Sequence, residues 1–382
     1  MKIAFVYDAA YPWVKGGAEK RVYELAKRLA AHDHEVHWYS MGYWWPEHGK
    51  KDMEMDGIHL HGVSSPVELY QEDRRSIKEA IYFALMILFK LRAGKYDLID
   101  CQGFPFFSCF SAKFNSLLGR STLVITLHEV WNNYWYEYLG RAGFFGKLIE
   151  RMMVNLTKNI ITVSSKTKKD LSEIKKQENS IIIPNGIDLK EIETIQPSPN
   201  KTDILFVGRL IKEKNADLLI KSLNKVKDQH PNIRCSIIGE GPEEEKLVKL
   251  TSKLNLQSNI NFMGFLDDYS KVISHMKSSE MLVLPSSREG FGMVVLEANA
   301  CGIPAIVVDH PMNAAKDLIT PGKNGFVADA TEESLSKNIL MGMKSKKEIS
   351  RYCQEMASEY DWDKIVKKLE ITYFNFLLKK EE

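Results

Sequence analysis

The sequence predicts an α/β protein made of two parallel-sheet domains. Three observations predict it. The chain has 382 residues, and at roughly 100–200 residues per domain that length suits two domains. Short apolar runs alternate with amphipathic helices, and buried strands alternating with helices imply parallel pairing. The alternation runs through twice, with a stretch at 189–202 between the two series that carries Pro197 and Pro199 and few apolar residues.

The elements follow in order. KIAFVY at 2–7 is a continuous apolar strand, and a loop over 8–17 follows it. Residues 18–31 place Val22, Leu25, Ala26 and Leu29 at the spacing of an amphipathic helix. EVHWYS at 35–40 is the next strand, so the chain opens on a β–loop–α–β unit. A short strand at 58–62 and a strongly apolar helix at 77–91 come next, then strands at 98–101 and 123–127. A helix at 146–157, a strand at 160–163, a helix at 166–174 and a strand at 181–183 complete the first series. Pro184-Asn185-Gly186 closes it with a strong turn signal. The stretch 189–202 reads as a linker. The second series has strands at 204–207, 235–238, 260–263, 281–284, 305–308 and 325–328, with helices at 216–229, 243–254 and 293–301. The tail sets Val366, Leu369, Tyr373 and Leu377 on one face of a long helix with no strand after it. The expected domains are 1–190 and 200–358, and 359–382 forms a helix that crosses back to the first.

Composition excludes several classes. Apolar residues make up 44% and charged residues 27%, an ordinary globular balance that excludes disordered and fibrous architectures. Lys plus Arg is 52 and Asp plus Glu is 50, so the net charge of +2 lacks the basic excess of a nucleic-acid binder. Any anion must be held locally. The five cysteines, Cys101, Cys109, Cys235, Cys301 and Cys353, are widely spaced, with no CxxC pair and no zinc-like spacing. That pattern reads as reduced thiols in a cytosolic protein. The first residues lack the apolar core of a signal peptide. The charge-free run 80–89 is too short for a bilayer, which needs about 20 residues. A cytoplasmic protein is expected, soluble or peripheral on the inner face of the cell membrane.

Five short constellations sit where strands end. Gly16-Gly17-Ala18-Glu19 lies between a strand and a helix, where free N–H groups and the helix dipole favour a phosphate. It is neither GxGxxG nor a P-loop, and a plain flexible loop fits it too. Gly208-Arg209-Leu210, with Lys212 and Lys214 behind it, follows the first strand of the second series. Ligands of open α/β sheets bind beyond the carboxyl ends of strands, so Arg209 and Lys214 could clamp a diphosphate there. A solvated charged loop is the plainer alternative. EGFGMVVLE at 289–297 puts Glu289 in a loop after a strand and Glu297 eight residues on inside the next helix; eight residues is just over two turns, so Glu297 lies on nearly the same face as the loop end and both carboxylates aim at the mouth of the domain. Gly290 and Gly292 expose backbone N–H groups between them, and Glu297 sits in an apolar helix where an acid needs a partner. His128 closes the strand at 123–127 and would face an interdomain cleft, although a lone histidine is usually structural. Gly239-Glu240-Gly241-Pro242 is another tight strand-to-helix loop, with no chemistry assigned to it.

EGFGMVVLE resembles the E-x7-E motif of retaining glycosyltransferases of family 4. KGGAEKRVYELAKRLA (15–30), ITLHE (125–129), IPNGID (183–188), FVGRLIKEKNADLLI (206–220), IIGEGPEEEKL (237–247) and YDWDKI (360–365) resemble the same family in the expected order. The resemblance implies the GT-B fold, two Rossmann-like domains facing across a cleft. It implies that Gly16 and Gly17 face the donor diphosphate, and that Arg209 and Lys214 neutralise it as it leaves. Glu297 would bind the nucleotide ribose and Glu289 the hydroxyls of the transferred sugar. Backbone amides around Phe291, Gly292 and Met293 would support sugar and phosphate, Leu266 would meet the base, and His128 would lie beside the reacting sugar. No cofactor and no metal is expected, only a nucleotide-sugar donor, since cations and helix termini supply the electrostatics. Front-face attack would leave no covalent nucleophile to assign. The chain departs from the family at 309–317, where Asp317 stands in place of a glutamate, and at Glu129, where aspartate is common.

The acceptor side has its own signal. WNNYWYEYL at 131–139 packs five aromatics into nine residues. Residues 141–176 hold nine Lys or Arg and three acids, a local +6. Basic residues beside exposed aromatics suit an anionic membrane, so 131–176 is expected to meet one and the acceptor to be a lipid-linked saccharide or polyprenyl phosphate. A core role for the aromatics is the alternative. A GT-B sugar-nucleotide epimerase, a transferase with a soluble acceptor and a two-lobed sugar-binding protein are the competing functions. The last of these leaves Arg209, Lys214 and Glu289 without a task.

Overall fold

The computed structural model describes residues 1–71, 74–91, 95–175 and 180–379. The chain divides into two units. One comprises Met1–Asn185 with Trp362–Glu382, the other Gly186–Asp361.

The first unit is built on an eight-stranded sheet. Its opening strand β1 (Lys2–Val6) is buried from Ile3 onward because IAFV leaves no polar side to expose. Helix α1 (Gly17–Ala31) buries Val22, Leu25, Ala26 and Leu29, the apolar stripe of its sequence. Then come β2 (Glu35–Ser40), the helical turn α2 (Trp45–His48), β3 (Asp52–Met55) and β4 (Ile58–Gly62). The small pair β5 (Tyr70–Gln71) and β6 (Arg74–Arg75) precedes α3 (Ile77–Lys90). Next are β7 (Leu98–Gln102), α4 (Phe107–Gly119), β8 (Thr122–Leu127), α5 (Tyr134–Leu139) and α6 (Gly143–Val154). The sheet ends with β9 (Asn159–Thr162), α7 (Ser165–Ile174) and β10 (Ile181–Ile182). The strand order is β10-β9-β8-β7-β1-β2-β4-β3, with only β3 antiparallel to its neighbour. From β1 the chain winds one way through β2 and β4, then the other way from β7 to β10. Right-handed crossovers therefore place α3, α4, α6 and α7 on the face opposite α1. Their inward residues, among them Phe83, Ala112, Met153 and Leu171, join one core cluster.

The second unit begins with α8 (Leu189–Thr194) and β11 (Thr202–Val207). It continues through α9 (Ala216–Lys227), β12 (Cys235–Ile238), α10 (Glu244–Lys253), β13 (Ile260–Phe262), α11 (Tyr269–Lys277) and β14 (Ser279–Leu284). The last elements are α12 (Met293–Ala300), β15 (Ala305–Asp309), β16 (Gly325–Asp329) and the long α13 (Glu332–Ser358). The six strands are all parallel, in the order β13-β12-β11-β14-β15-β16. This is the doubly wound Rossmann order, whose switch point lies between β11 and β14. The unit is closed where its chain enters and leaves, as Ile187 N donates to Tyr360 O at 2.9 Å.

Helix α14 (Trp362–Leu378) belongs to the first unit. It buries Trp362, Ile365, Val366, Leu369, Tyr373 and Phe376 beside α1. Arg28 on α1 meets Asp363 at 2.9 Å, and Glu370 accepts from His34 at 2.9 Å.

The expected linker at 189–202 is corrected. Residues Leu189–Thr194 form a helix, because Asp188 accepts from Glu191 N at 2.9 Å and caps it. Lys277 then donates to the carbonyls of Glu193 and Ile195 at its far end, 3.2 and 2.7 Å away.

Candidate functional site

In the second unit, the loops after β11 and β14 flank the switch point, where open α/β sheets bind ligands. The loop after β11 carries Gly208, Arg209 and Lys214. Asn215 Nδ2 donates to Pro285 O at 3.0 Å, and Ser287 N donates to Glu213 O at 2.8 Å, so this loop is tied to the one after β14. That tie brings Lys214 Nζ to 2.6 Å from Glu289 Oε1, in a partly buried ion pair. The loop after β15 joins from the other side. Glu289 N donates to Met312 O at 3.1 Å, and Ala314 N donates to Glu289 O at 2.9 Å. The 309–317 stretch that departs from the family thus braces Glu289 through backbone atoms, and Asp317 is exposed.

Glu289 and Glu297 lie on different elements. Glu289 lies in a loop, and α12 starts only at Met293, because Gly292 adopts φ +95 and breaks the turn. A Cβ on Gly292 would come within 2.5 Å of Ala315 Cβ, so no other residue fits between the two loops. The close approach leaves the first N–H groups of α12, from Met293 onward, without a side-chain cap. Phe291 is buried edge-on against Tyr360, ring centroids 6.1 Å apart. Glu297 is only 8% exposed, and Tyr269 on α11 donates to its Oε1 at 3.0 Å. The partner that a buried acid requires is therefore a phenol, with its own pKa raised by burial and by Glu297.

A separate recess of about 220 Å³ gathers Gly208, Arg209, Gly239, Glu240, Phe265 and Leu266. It brings Arg209 and Leu266 together. It adds Gly239 and Glu240, to which the sequence reading gave no chemistry. Glu240 Oε1 accepts from Phe265 N at 3.0 Å and so holds the loop that carries Leu266. Gly239 has φ +131, and a Cβ there would stand 2.0 Å from Gly208 O. The signal was available in the sequence, since a glycine directly after a strand marks a close backbone approach.

In the first unit, Gly16 caps α1 in an extended conformation with no side-chain cap bond, and Gly17 begins the helix. Glu19 accepts from Tyr7 OH at 3.2 Å, and burial pushes its carboxyl pKa up. Arg21, on the same helix, is fully buried. It donates to Pro184 O at 2.6 Å, Ile183 O at 2.9 Å and Asn185 Oδ1 at 2.9 Å, fastening the Pro-Asn-Gly turn to α1.

His128 stands two residues past Thr126, which is in register with Gln102. Its Nε2 is 2.9 Å from Gln102 Oε1. Gln102 Nε2 donates in turn to Asp100 at 3.1 Å. Asp100 also accepts from Thr126 at 2.8 Å and from Tyr373 OH at 2.5 Å. Burial and the nearby Arg21 guanidinium push the His128 imidazole down to about 3. At neutral pH it is therefore uncharged, a hydrogen-bonding group rather than a cation.

The aromatic segment at 131–139 is largely core, which corrects the expectation of exposed rings. Trp131 and Trp135 are buried, and Tyr134 and Tyr138 pack against that core. The cause is Glu150, a buried acid inside the basic stretch. It accepts from Trp131 N and Asn132 N at 2.8 Å each, and from Trp135 Nε1 at 3.3 Å. Lys175 is also engaged, donating to the carbonyls of Val154 and Thr157 at the end of α6. Lys176 lies outside the described residues.

Comparison with known proteins now bears on this geometry. A family model described as Glycosyltransferase Family 4 matches residues 15–191, and one described as Glycosyl transferases group 1 matches residues 188–359. The chain is 26% identical over 400 residues to an uncharacterized glycosyltransferase, MJ1607, of Methanocaldococcus jannaschii, covering 96% of each. It is 22% identical over 374 residues to the gpi3 subunit of phosphatidylinositol N-acetylglucosaminyltransferase of Schizosaccharomyces pombe, covering 94% of this chain and 77% of that one. Among solved structures, sucrose-phosphate synthase from Thermosynechococcus elongatus shares the fold, with a TM-score of 0.81 at 17% identity over 99% of both chains. Two parallel-sheet α/β units with these neighbours make the protein a glycosyltransferase of the GT-B fold. Between them the two models take in residues 15 to 359, and the chain belongs to glycosyltransferase family 4.

Proposed function

We propose that the protein is a retaining, metal-independent transferase that moves a sugar from a nucleotide-diphosphate donor to a hydroxyl of a lipid-linked saccharide or polyprenyl phosphate. It would work on the cytoplasmic face of a membrane. One observation carries the reading: Lys214 Nζ is held 2.6 Å from Glu289 at the switch point of the second unit, with Arg209 on the same loop. A carboxylate that positions an ammonium group leaves its second oxygen for a sugar hydroxyl. The ammonium and the Arg209 guanidinium would then face the diphosphate.

In this reading the C1–O bond to the diphosphate breaks as the acceptor oxygen bonds to C1 on the same face. The nucleoside diphosphate leaves with the electron pair and takes the acceptor proton. Arg209 and Lys214 stabilise the charge that develops, the role a metal would otherwise play. The recess holding Leu266 takes the base, and Glu297 takes the ribose. Gly16 and Gly17 offer α1 N–H groups to the diphosphate. Neutral His128 donates or accepts a hydrogen bond at the sugar. The lipid acceptor draws support from the gpi3 relative, whose name specifies phosphatidylinositol.

The test has two stages. UDP-, GDP- and ADP-sugars are screened for thermal stabilisation, since a bound donor raises the midpoint by mass action. The donor found is then used for transfer to polyprenyl-phosphate-linked and soluble acceptors. Arg209→Ala and Glu289→Ala should each reduce transfer by about 10²–10³-fold or more while the melting transition stays cooperative. Near wild-type turnover in either variant would sink the site assignment.

A further inference from the structure

We propose that the outward face of α3, α4 and α6 docks on an anionic phospholipid bilayer, with a lipid phosphate entering a cationic recess at its edge. The proposal deepens the lipid-linked acceptor reading and rests on it for the reason a bilayer should be near. It replaces the 131–139 aromatics, which are core, with a different surface.

Twelve of the 21 large apolar side chains left exposed among the described residues lie on these three helices. Their spacing is helical and outward. Ile81, Leu85 and Phe89 follow one another four apart on α3, and Phe144, Leu148 and Met152 do the same on α6. Phe89, Leu117 and Phe145 are about two-thirds exposed, at 66%, 65% and 65%. The inward residues of the same helices already fill the core of the first unit, so the outer stripe is surplus to folding. Helices apolar on both faces have something other than water to meet. Ser111 on α4 donates to Ala84 O on α3 at 2.6 Å, so the two helices form one continuous surface.

Charge decides the partner. These helices carry two acids, Glu79 and Glu150, and both are buried. Their basic residues are Lys78, Lys90, Lys113, Lys147 and Arg151, and none of these is buried. An apolar face whose only surface charges are positive suits an anionic bilayer. A second copy of the chain would bring like charges together. Beside the ends of α4 and α6 lies a recess of about 1150 Å³. Lys113, Arg120, Lys158, Lys175 and Lys379 line it, no carboxylate among the described residues does, and exposed Leu117 forms part of its wall. Apolar contact and phosphate binding thus meet at one edge.

The test mixes the full chain with vesicles of phosphatidylcholine alone or of phosphatidylcholine with phosphatidylglycerol, then sediments them. Wild type should sediment with the anionic vesicles at low salt, less at high salt, and little with the neutral ones. Phe89→Ser with Phe145→Ser, and separately Lys113→Glu with Lys158→Glu, should each weaken that binding about tenfold or more. Both variants should keep the wild-type melting midpoint and turnover on a soluble acceptor. The proposal is overturned if wild type stays in the supernatant, or if both variants sediment like wild type. It is overturned equally if the wild type is a dimer that Phe145→Ser dissociates. Failure of the acceptor reading looks different. There the protein sediments with anionic vesicles yet uses lipid-linked and soluble acceptors alike, which supports the docking face and removes only the acceptor.

Discussion

His128 shows how a single residue's chemistry depends on neighbours that its sequence position does not reveal. The strand-end position marked it as a candidate, and the fold adds Gln102, Asp100 and Tyr373 behind it. Its folded pKa of about 3 has a consequence for stability. The unfolded imidazole binds a proton below about 6.5, whereas the folded one does not until about 3. Between these values the unfolded state holds more protons, so stability falls as pH falls through the window. The limit is about 1.4 kcal/mol per pH unit. Urea midpoints at pH 7 and pH 5 should therefore diverge more for wild type than for His128→Gln, and equal differences would contradict the neutral imidazole. Glu297 makes the same point. Its apolar neighbours announced a buried acid, but Tyr269 lies on a different helix and was not legible. Tyr269→Phe is expected to raise the donor KM about tenfold, the worth of one hydrogen bond to a charged acceptor. kcat should hold, and an unchanged KM would detach Tyr269 from the donor site.

At the scale of elements, the strands were read well because apolar β-rich runs bounded by turn residues are a local signal. Helices were less even. The sequence pattern predicts no helix at α13, Glu332–Ser358, and predicts a linker at α8 although Asp188 and Glu191 have the spacing of a capping box. Pro197 and Pro199 outweighed that signal. The loops that build the site depend on glycines with positive φ. Gly239, at φ +131 and in contact with the Gly208 backbone, has no room for a side chain. Gly239→Ala should cost about 1–3 kcal/mol from the backbone conformation alone, with the overlap adding to it. The urea midpoint should drop accordingly, and donor-induced thermal stabilisation should shrink because the recess with Arg209 and Leu266 is displaced. A variant with wild-type stability and donor response would contradict the close approach.

For the molecule as a whole, the last helix matters most. Residues 362–378 follow the second unit in sequence but pack in the first, and Tyr373 reaches Asp100 from 273 positions away. Tyr373→Phe leaves that buried carboxylate short of a donor, so unfolding free energy should fall by about 1–3 kcal/mol. Equilibrium denaturation checks this, and a neutral substitution would mean that the bond contributes nothing. The amphipathic period of 366–377 showed that a helix exists and has a buried side, since helical periodicity is written in neighbouring residues. Length, alternation and the order of motifs likewise determined two parallel α/β domains and the residue types at each strand end. Pairing across the fold was decided only in three dimensions. Lys214 meets Glu289, Arg209 and Glu240 come to line one recess, Glu150 draws the tryptophans inward, and the outer stripes of α3, α4 and α6 share one positive face. Such contacts join residues far apart in the chain, and burial, which sets their pKa values and their exposure, is a property of the packed molecule and not of any local pattern.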